Sequence, residues 1–351
     1  MTPAVTRPFA GRALAALLVL LLVASCSPVS SFPASGSHID SCLEALPDPA
    51  SVSGLFVEPD DGVDPVLDEF VAAACTIDVS VYILSDDLVI ESLQAAAARG
   101  VRVRVMLEEF PFGGGGGQVE VRERLAQQGV EVRWSASDIR FSHAKYAVID
   151  RQVALIMNQN LTTSAFTANR EFGVTTTDPE SVDQAQAIFD RDWRHDPLDD
   201  PGGPLIASPT NSRQRLLALI DDADQSIDFY AEVIRDEEII AALGVAEARG
   251  VSVRLIVDAA MDEGTQERAA RLHDAGGEIR LAETLYIHAK LMVIDNELAV
   301  VGSQNFTPTS LDDNRELAIV VTDPFILARC AAIFERDWQR AIPGEPATTR
   351  T

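Results

Sequence analysis

Short apolar runs and longer amphipathic segments alternate along the chain between residues 52 and 340. Short runs rich in β-branched residues are typical of strands, whereas apolar residues spaced by three and four are typical of helices. Strands that alternate with helices predict a sheet covered by helices on both faces, which is an α/β architecture. In the first half the pattern predicts strands at 77–84, 101–107, 130–134, 143–149, 153–157 and 171–176, and helices at 88–99, 119–128 and 179–193.

The same pattern occurs twice. Residues 98–104 read Ala-Arg-Gly-Val-Arg-Val-Arg, and residues 248–254 read Ala-Arg-Gly-Val-Ser-Val-Arg, an offset of 150. Residues 143–145 and 288–290 both read His-Ala-Lys, an offset of 145. The offset changes in loops, one of which contains the glycine run 113–117, as is expected when a folded unit has been duplicated.

The repeat predicts the domain organisation. We expect two pseudo-symmetric α/β halves at 52–195 and 210–340, each a mixed sheet flanked by helices. The segment 196–209 is rich in proline and glycine and is interpreted as the linker between the halves. Residues 341–351 are interpreted as a C-terminal tail.

The N-terminal segment has the pattern of an export signal. Two arginines precede the apolar run 13–24, which is shorter than a membrane-spanning helix. Residues 23–26 resemble a bacterial lipobox, so we expect a signal peptide at 1–25 and a lipid on Cys26, followed by a tether at 26–51. An ordinary signal peptide with a chance cysteine is the alternative. By this interpretation the protein is exported and anchored to a membrane of the cell envelope.

The chain is strongly acidic. It has 54 acidic and 28 basic residues and a net charge of −26, and removal of Arg7 and Arg12 with the signal peptide would make this −28. Such a charge repels nucleic acid and anionic membranes at long range, which makes a nucleic-acid partner unfavourable. A locally basic pocket could still accept one phosphodiester.

Cysteine usage leaves two possibilities open. Three cysteines follow Cys26, at positions 42, 75 and 330. Export permits a disulfide, and Cys42 and Cys75 are the nearer pair in sequence, but buried free thiols are at least as good an interpretation. No cysteine or histidine cluster has the spacing of metal ligands.

Each half carries a histidine two residues before a lysine, at His143 and Lys145 and at His288 and Lys290. These two lysines are the only ones among the 28 basic residues. Since arginine serves at every other basic position, we infer that a compact ammonium is required beside each histidine, where a planar guanidinium would not fit. Residues i and i+2 of a strand share a face, so each histidine and its lysine should project the same way.

Further polar residues follow each histidine at equal intervals. An aspartate lies 7 residues after it, an asparagine 17 and a glutamate 28. Such matched copies outweigh the usual interpretation of a buried histidine as a structural residue. The residues are Asp150, Asn160 and Glu171 in the first half and Asp295, Asn305 and Glu316 in the second, with Asn158 and Ser303 also at equivalent positions.

Together these residues resemble the signature of the phospholipase D superfamily, an His-x-Lys-x4-Asp motif followed by Gly-Ser-x-Asn. Residues 287–306 match it in full, whereas Met157 and Asn158 stand where Gly-Ser is usual in the first copy. The resemblance covers nearly all of 52–340. It implies one phosphodiesterase site between the halves of a single chain, which favours a monomer, and it requires no metal or other cofactor because the lysines supply positive charge.

The resemblance also implies a role for each residue. One histidine attacks phosphorus, and the other protonates the leaving alcohol and then activates water or a second alcohol. The nucleophile is often the N-terminal histidine in two-motif bacterial relatives, which favours His143. Each glutamate would fix the tautomer of a histidine, although pairing with the preceding arginine at the surface is an alternative. The expected phosphate contacts are Lys145, Lys290, Asn160, Asn305, Ser303 and Asn158, and the expected supporting residues are Asp150, Asp295, Glu171 and Glu316.

Four functions follow from this resemblance. Hydrolysis of a phospholipid head-group ester is the leading hypothesis, because a lipid anchor would hold the enzyme against such a substrate. A phosphatidyl transferase such as a cardiolipin synthase is the second, and an exported nuclease, which the acidic charge disfavours, is the third. A catalytically inactive binding protein is the fourth, supported only by the departure at Met157 and Asn158.

Overall fold

The structure, a computed structural model, describes residues 36–112 and 117–344. The predicted signal peptide, Cys26 and most of the glycine run lie outside the described residues. Both repeats belong to one compact unit. Each forms a mixed sheet flanked by helices, so the predicted α/β class with two pseudo-symmetric halves is confirmed.

Seven strands of the first half form one sheet in the order β1-β7-β6-β5-β2-β3-β4. Strands β2, β3 and β4 run parallel to one another, and the remaining pairs are antiparallel. The strands are β1 (Ser53–Glu58), β2 (Thr76–Val81), β3 (Arg102–Leu107), β4 (Glu131–Trp134), β5 (Tyr146–Ile149), β6 (Val153–Met157) and β7 (Asn169–Thr176).

The second sheet repeats this arrangement in the order β16-β11-β10-β9-β13-β14-β15-β8. Each strand from β8 to β15, apart from β12, takes the place of one strand in the first sheet, so the two halves have the same topology. The short strand β12 crosses over and pairs with β7 of the first half. The strands are β8 (Leu205–Ser208), β9 (Ser226–Ala231), β10 (Ser252–Asp258), β11 (Glu278–Ala282), β12 (Tyr286–Ile287), β13 (Lys290–Ile294), β14 (Leu298–Gly302), β15 (Glu316–Val321) and β16 (Ile342–Pro343).

The helices begin at polar caps that recur in both halves. The carboxylates of Asp86 and Asp236 accept two backbone N–H groups each at the start of α3 and α8, as expected of N-cap residues. Among the helices within 36–112 and 117–344, none is both long and apolar enough to cross a bilayer. They are α1 (Gly36–Glu44), α2 (Asp64–Ala72), α3 (Asp87–Ala98), α4 (Gln118–Ala126), α5 (Thr163–Thr167), α6 (Pro179–Arg194), α7 (Ser212–Asp221), α8 (Glu237–Arg249), α9 (Glu263–Asp274), α10 (Pro308–Asp312) and α11 (Pro324–Arg340).

A central apolar core joins the two sheets. Ile156 and Val174 of the first half lie in the same cluster of buried side chains as Leu291 and Val301 of the second. Each half also has an outer core of its own, beneath its helices. Burial of apolar area on this scale stabilises association at about 25 cal/mol per Å², so the halves hold each other in a fixed arrangement.

The structure changes three predicted boundaries. The predicted linker 196–209 contains β8, which pairs with β15, so the second half begins near Leu205. The predicted tether contains α1, which the disulfide between Cys42 and Cys75 attaches to the first half. The predicted tail contains β16, which pairs with β11. These elements are too short, or too far from regular periodicity, to give a pattern in the sequence.

Candidate active site

The segment before each motif histidine pairs with the opposite half. The backbone N–H of His143 donates to the carbonyl of Arg315 at 2.8 Å. In the second half, Tyr286 and Ile287 of β12 lie in register with Asn169 and Arg170 of β7. This exchange carries each histidine to the start of the opposite half's β7 or β15, where a glutamate lies.

Each histidine is hydrogen-bonded to the glutamate of the other half. His143 Nδ1 lies 2.9 Å from Glu316 Oε2, and His288 Nδ1 lies 2.8 Å from Glu171 Oε2. Both glutamate side chains are completely buried. A carboxylate on Nδ1 leaves Nε2 as the nitrogen available for reaction, so each bond fixes the orientation and tautomer of its ring.

The alternative pairing of each glutamate with the arginine beside it is wrong. Arg170 Nε donates to Asp337 at 2.7 Å, and Arg315 Nε donates to Asp192 at 2.9 Å. All four side chains are buried. Each ion pair again joins one half to the other. Two buried ion pairs between the halves therefore lie next to the histidine–glutamate pairs.

The two ammonium groups lie inside the protein beside the histidines. Lys145 Nζ donates to the carbonyl of His143 at 2.5 Å, and Lys290 Nζ donates to the carbonyl of His288 at 2.6 Å. Burial lowers the pKa of Lys145 to about 7, Glu316 opposes this, and the positive charge of Lys290 lowers it further. The amide of Asn158 in the first half donates to the carbonyl of Lys290 at 3.1 Å, so the segments that carry the two motifs lie against each other.

The electrostatics favour a neutral His143. Burial lowers the pKa of its ring, Glu316 raises it, and the charges of Lys145 and Lys290 lower it again. The net direction is below the ordinary value of 6.5. A neutral imidazole whose Nδ1–H donates to a carboxylate has a free lone pair on Nε2. A nucleophile needs this form of the ring.

The side chains of Asn160 and Asn305 retain unused hydrogen-bonding capacity. Within the part of the chain that the structure describes, the Oδ1 atoms of both are buried and have no hydrogen-bond partner. Each amide nitrogen carries two N–H groups, of which Asn305 uses one for Glu232, so a phosphate oxygen could accept another. Their assignment as phosphate contacts stays a prediction.

The structure disagrees with phosphate contacts by Asn158 and Ser303, which are both fully buried. Asn158 Nδ2 donates to the carbonyls of Lys290 and Gly302, and its Oδ1 accepts the N–H of Phe172 at 2.9 Å. Ser303 Oγ accepts the N–H of Leu317 at 3.0 Å. Because both donors of the Asn158 amide are used, this side chain joins the halves through the backbone instead of binding a ligand.

The two motif aspartates do not contact the histidines but bind backbone N–H groups elsewhere in their own half. Asp150 accepts the N–H groups of residues 74–76 at 2.7 to 2.8 Å, and Asp295 accepts those of residues 224–226 at 2.7 to 2.9 Å. Each therefore ties the turn after β5 or β13 to the start of β2 or β9. These contacts agree with the supporting role in a turn that the sequence predicted.

Two residues that the sequence analysis did not select also line the site. The ring of Tyr82 packs edge-on against the ring of His143, with centroids 4.5 Å apart. At the equivalent place in the second half, Glu232 Oε2 lies 2.6 Å from Lys290 Nζ and 3.5 Å from His288 Nε2. The repeat offset of 150 aligns Tyr82 with Glu232, and this mismatch beside otherwise matched segments was the available signal.

The arrangement suits nucleophilic displacement at phosphorus. Two imidazoles provide a nucleophile and a proton donor, and each is oriented by a buried carboxylate. Two ammonium groups in a region of low dielectric can stabilise the negative charge on the non-bridging oxygens. Each half contributes one imidazole, one lysine and one of the buried carboxylates, so the site forms only where the halves meet.

Comparisons with known proteins agree with this arrangement. The family model described as "Cardiolipin synthase, PLD-like domain" matches residues 66–193 and 216–338. The chain is 27% identical to the cardiolipin synthase of Halalkalibacterium halodurans over 69% of its own length, and it spans 57% of that relative. It is 24% identical to cardiolipin synthase A of Pseudomonas aeruginosa, over 85% of this chain and 69% of that one.

A solved structure shows the same fold. The phosphatidylserine synthase of Haemophilus influenzae superposes with a TM-score of 0.64 at 11% identity, over 88% of this chain and 91% of that one. At this identity the likeness concerns the fold alone. The family match covers both halves and both motifs. The chain belongs to the phospholipase D superfamily, as a member of its cardiolipin synthase-type PLD-like domain family.

Proposed function

We propose that this protein transfers a phosphatidyl group from a phospholipid to an alcohol, as a cardiolipin synthase does. The exchanged pairs His143–Glu316 and His288–Glu171 carry this proposal, because a double displacement at phosphorus needs two oriented imidazoles at one site. The relatives favour transfer over the hydrolysis that the sequence analysis placed first. Both reactions share their first step and differ in whether an alcohol or water completes the second.

The chemistry proceeds in two steps. In the first, the Nε2 of one ring bonds to phosphorus, the bond from phosphorus to the leaving oxygen breaks, and the other ring gives its proton to that oxygen. In the second, the acceptor hydroxyl gives its proton to this second ring as its oxygen bonds to phosphorus and the phosphorus–nitrogen bond breaks. Lys145 and Lys290 stabilise the non-bridging oxygens throughout.

A vesicle assay distinguishes the reactions. Purified protein is incubated with vesicles of phosphatidylglycerol, and the lipids are analysed by mass spectrometry. We expect cardiolipin and free glycerol in equal amounts, and neither product with the His288→Ala variant as control. Phosphatidic acid without cardiolipin would show hydrolysis instead, and the absence of both products would overturn a phospholipid substrate. Nicking of a supercoiled plasmid by the same preparation would favour a nuclease.

Two exposed phenylalanines beside the site support a lipid substrate. Phe110 and Phe112 are 74% and 84% exposed. The backbone N–H of Phe112 donates to the hydroxyl oxygen of Tyr82 at 2.5 Å, and the Tyr82 ring packs on His143. Exposed apolar side chains next to an active site are typical of contact with a lipid surface.

Replacing Phe110 and Phe112 together by serine should lower turnover of vesicle lipid by about ten-fold, since burial of each ring contributes about 1.5–3 kcal/mol at most. Turnover of the soluble diester bis(p-nitrophenyl) phosphate should change by less than about two-fold, because the reacting groups are untouched. Phe325→Ser is the matched control, since Phe325 is 86% exposed at the start of α11. An equal loss on the soluble diester, or in the control variant, would contradict a lipid-contact role.

We also propose that Cys26 carries the lipid anchor that the sequence pattern predicts, which would hold the site at the surface of its substrate. Metabolic labelling with palmitate tests this directly. Labelling that persists in a Cys26→Ala variant would exclude the anchor.

A further inference from the structure

Glu232 makes the two halves of the site chemically different. Its Oε2 accepts hydrogen bonds from Lys290 Nζ at 2.6 Å and from Asn305 Nδ2 at 3.2 Å, and its Oε1 accepts one from the Tyr286 hydroxyl at 3.2 Å. The equivalent residue of the first half is Tyr82, which has no charge at neutral pH. The second motif therefore contains a fixed anion that the first motif lacks.

This anion places His288 between two carboxylates. Glu171 lies 2.8 Å from its Nδ1, and Glu232 lies 3.5 Å from its Nε2. A doubly protonated imidazole has two N–H groups, and each ring nitrogen of His288 has a carboxylate beside it that can accept one of them. His143 has Glu316 at Nδ1 and the edge-on ring of Tyr82 beside it, which is the weaker arrangement for a second proton.

Glu232 remains an anion in these surroundings. Burial alone would raise the pKa of its carboxyl, but the charges of His288 and Lys290, and more weakly of His143, lower it well below its usual range. Only 18% of the side chain is exposed. Three hydrogen-bond donors hold it, so the carboxylate has a defined position relative to the ring of His288.

The hydrogen bonds to the Glu232 carboxylate do not use all the N–H groups of Lys290 and Asn305, so some can still bind a phosphate. Lys290 has three N–H groups, of which one bonds the carbonyl of His288 and one bonds Glu232. The Asn305 amide has two N–H groups, of which one bonds Glu232. One donor remains on each side chain, so a diester can bind while Glu232 keeps its place.

We propose that Glu232 is a positioning residue that makes His288 the proton donor and leaves His143 as the nucleophile. The proposal rests on the phosphodiester chemistry proposed above. In the first step His288 gives its Nε2 proton to the leaving oxygen as the P–O bond breaks. In the second step the neutral ring of His288 takes the proton of the acceptor hydroxyl as the acceptor oxygen bonds to phosphorus. The protonation state of Glu232 does not change in either step.

The test compares two short-chain phospholipids that differ only in their leaving group. Glycerol needs protonation to leave, whereas p-nitrophenol leaves as its anion. In Glu232→Gln we expect turnover of dihexanoyl phosphatidylglycerol to fall by about 10²-fold, within the range for general acid catalysis. First-turnover release of p-nitrophenol from dihexanoyl phosphatidyl-p-nitrophenol should stay within about three-fold of the wild-type rate, since that step needs no acid.

Two further variants make the result specific. Glu283→Gln removes the same charge from an exposed residue in the segment before Tyr286, and it should leave both rates near those of the wild type. Glu232→Asp keeps the charge and should recover most of the glycerol-ester activity that Glu232→Gln loses. Failure of this rescue would count against a charge-based role.

Other outcomes would overturn the proposal in distinguishable ways. Equal losses on both lipids would assign Glu232 a structural role. If Glu232→Gln reacted faster with both lipids and were inhibited more strongly by inorganic phosphate, Glu232 would occupy the substrate's phosphate-binding position and would have to be displaced from it. Wild-type protein that turns over neither lipid would overturn the proposed function itself, and the role of Glu232 with it.

Discussion

A phosphoenzyme should accumulate on His143 when His288 is replaced by alanine. With dihexanoyl phosphatidyl-p-nitrophenol, His288→Ala should release about one equivalent of p-nitrophenol and then stop, because no base remains to activate an acceptor. His143→Ala should give no burst, because the attacking nitrogen is gone. Steady-state turnover should fall by about 10⁴-fold in both variants. Intact-protein mass and peptide mapping locate the adduct.

His195→Ala is the matched control for these variants. His195 is exposed, ends α6 and has no counterpart in the second half, so its replacement should leave turnover unchanged. An adduct on His288 in the His143→Ala variant would reverse the assigned roles. Near-normal turnover after replacement of either motif histidine would contradict a single shared site.

Arginine should not substitute for either lysine. We expect Lys145→Arg and Lys290→Arg to lower kcat by about 10²- to 10³-fold, comparable with removal of one donor that stabilises transition-state charge. Both lysine side chains are almost fully buried, and each ammonium bonds the carbonyl of its own histidine. A planar guanidinium cannot keep that bond without displacing its neighbours. Wild-type kcat values in these variants would show that charge alone suffices.

The pH dependence of kcat/KM should identify Lys145 as a group whose protonation controls activity. Lys145 has a pKa of about 7, so its ammonium is present below that pH and is lost above it. Wild-type kcat/KM, which reports the free enzyme, should therefore decline as pH rises above about 7. With dihexanoyl phosphatidyl-p-nitrophenol, whose first step needs no acid, the decline should persist in Lys290→Arg, which keeps Lys145, and should be absent from the residual activity of Lys145→Arg. A decline at the same pH in Lys145→Arg would assign it to another group.

The repeat in the sequence was enough to predict the motif residues and the two-half architecture. Matched intervals from each histidine to a glutamate identified residues that do lie together. The exchange of glutamates between halves was not predictable, because it depends on β12 pairing with β7 across the chain. Spacing along one strand gives no information about which of two equivalent partners a side chain meets.

The remaining differences have local causes. Asn158 was expected to contact phosphate because it occupies the position equivalent to Ser303, yet its amide lies among backbone groups of both halves. The strand predicted at 143–149 begins only at Tyr146, because the backbone at His143 pairs with Arg315 of the other half. In the sequence Glu232 differs from the other 53 acidic residues only by its mismatch with Tyr82 in the repeat, and its role depends on neighbours that the fold brings to it.

The exchanged histidine–glutamate pairs mean that the duplication provides no redundancy. Each half supplies the imidazole of one pair and the carboxylate of the other, so neither copy can compensate for damage to its twin. Loss of Glu171 disables the ring contributed by the second copy, and loss of Glu316 disables the ring contributed by the first. A change in either copy therefore affects catalytic groups of both, whereas a pair outside this exchange, such as Tyr82 and Glu232, can differ between the copies.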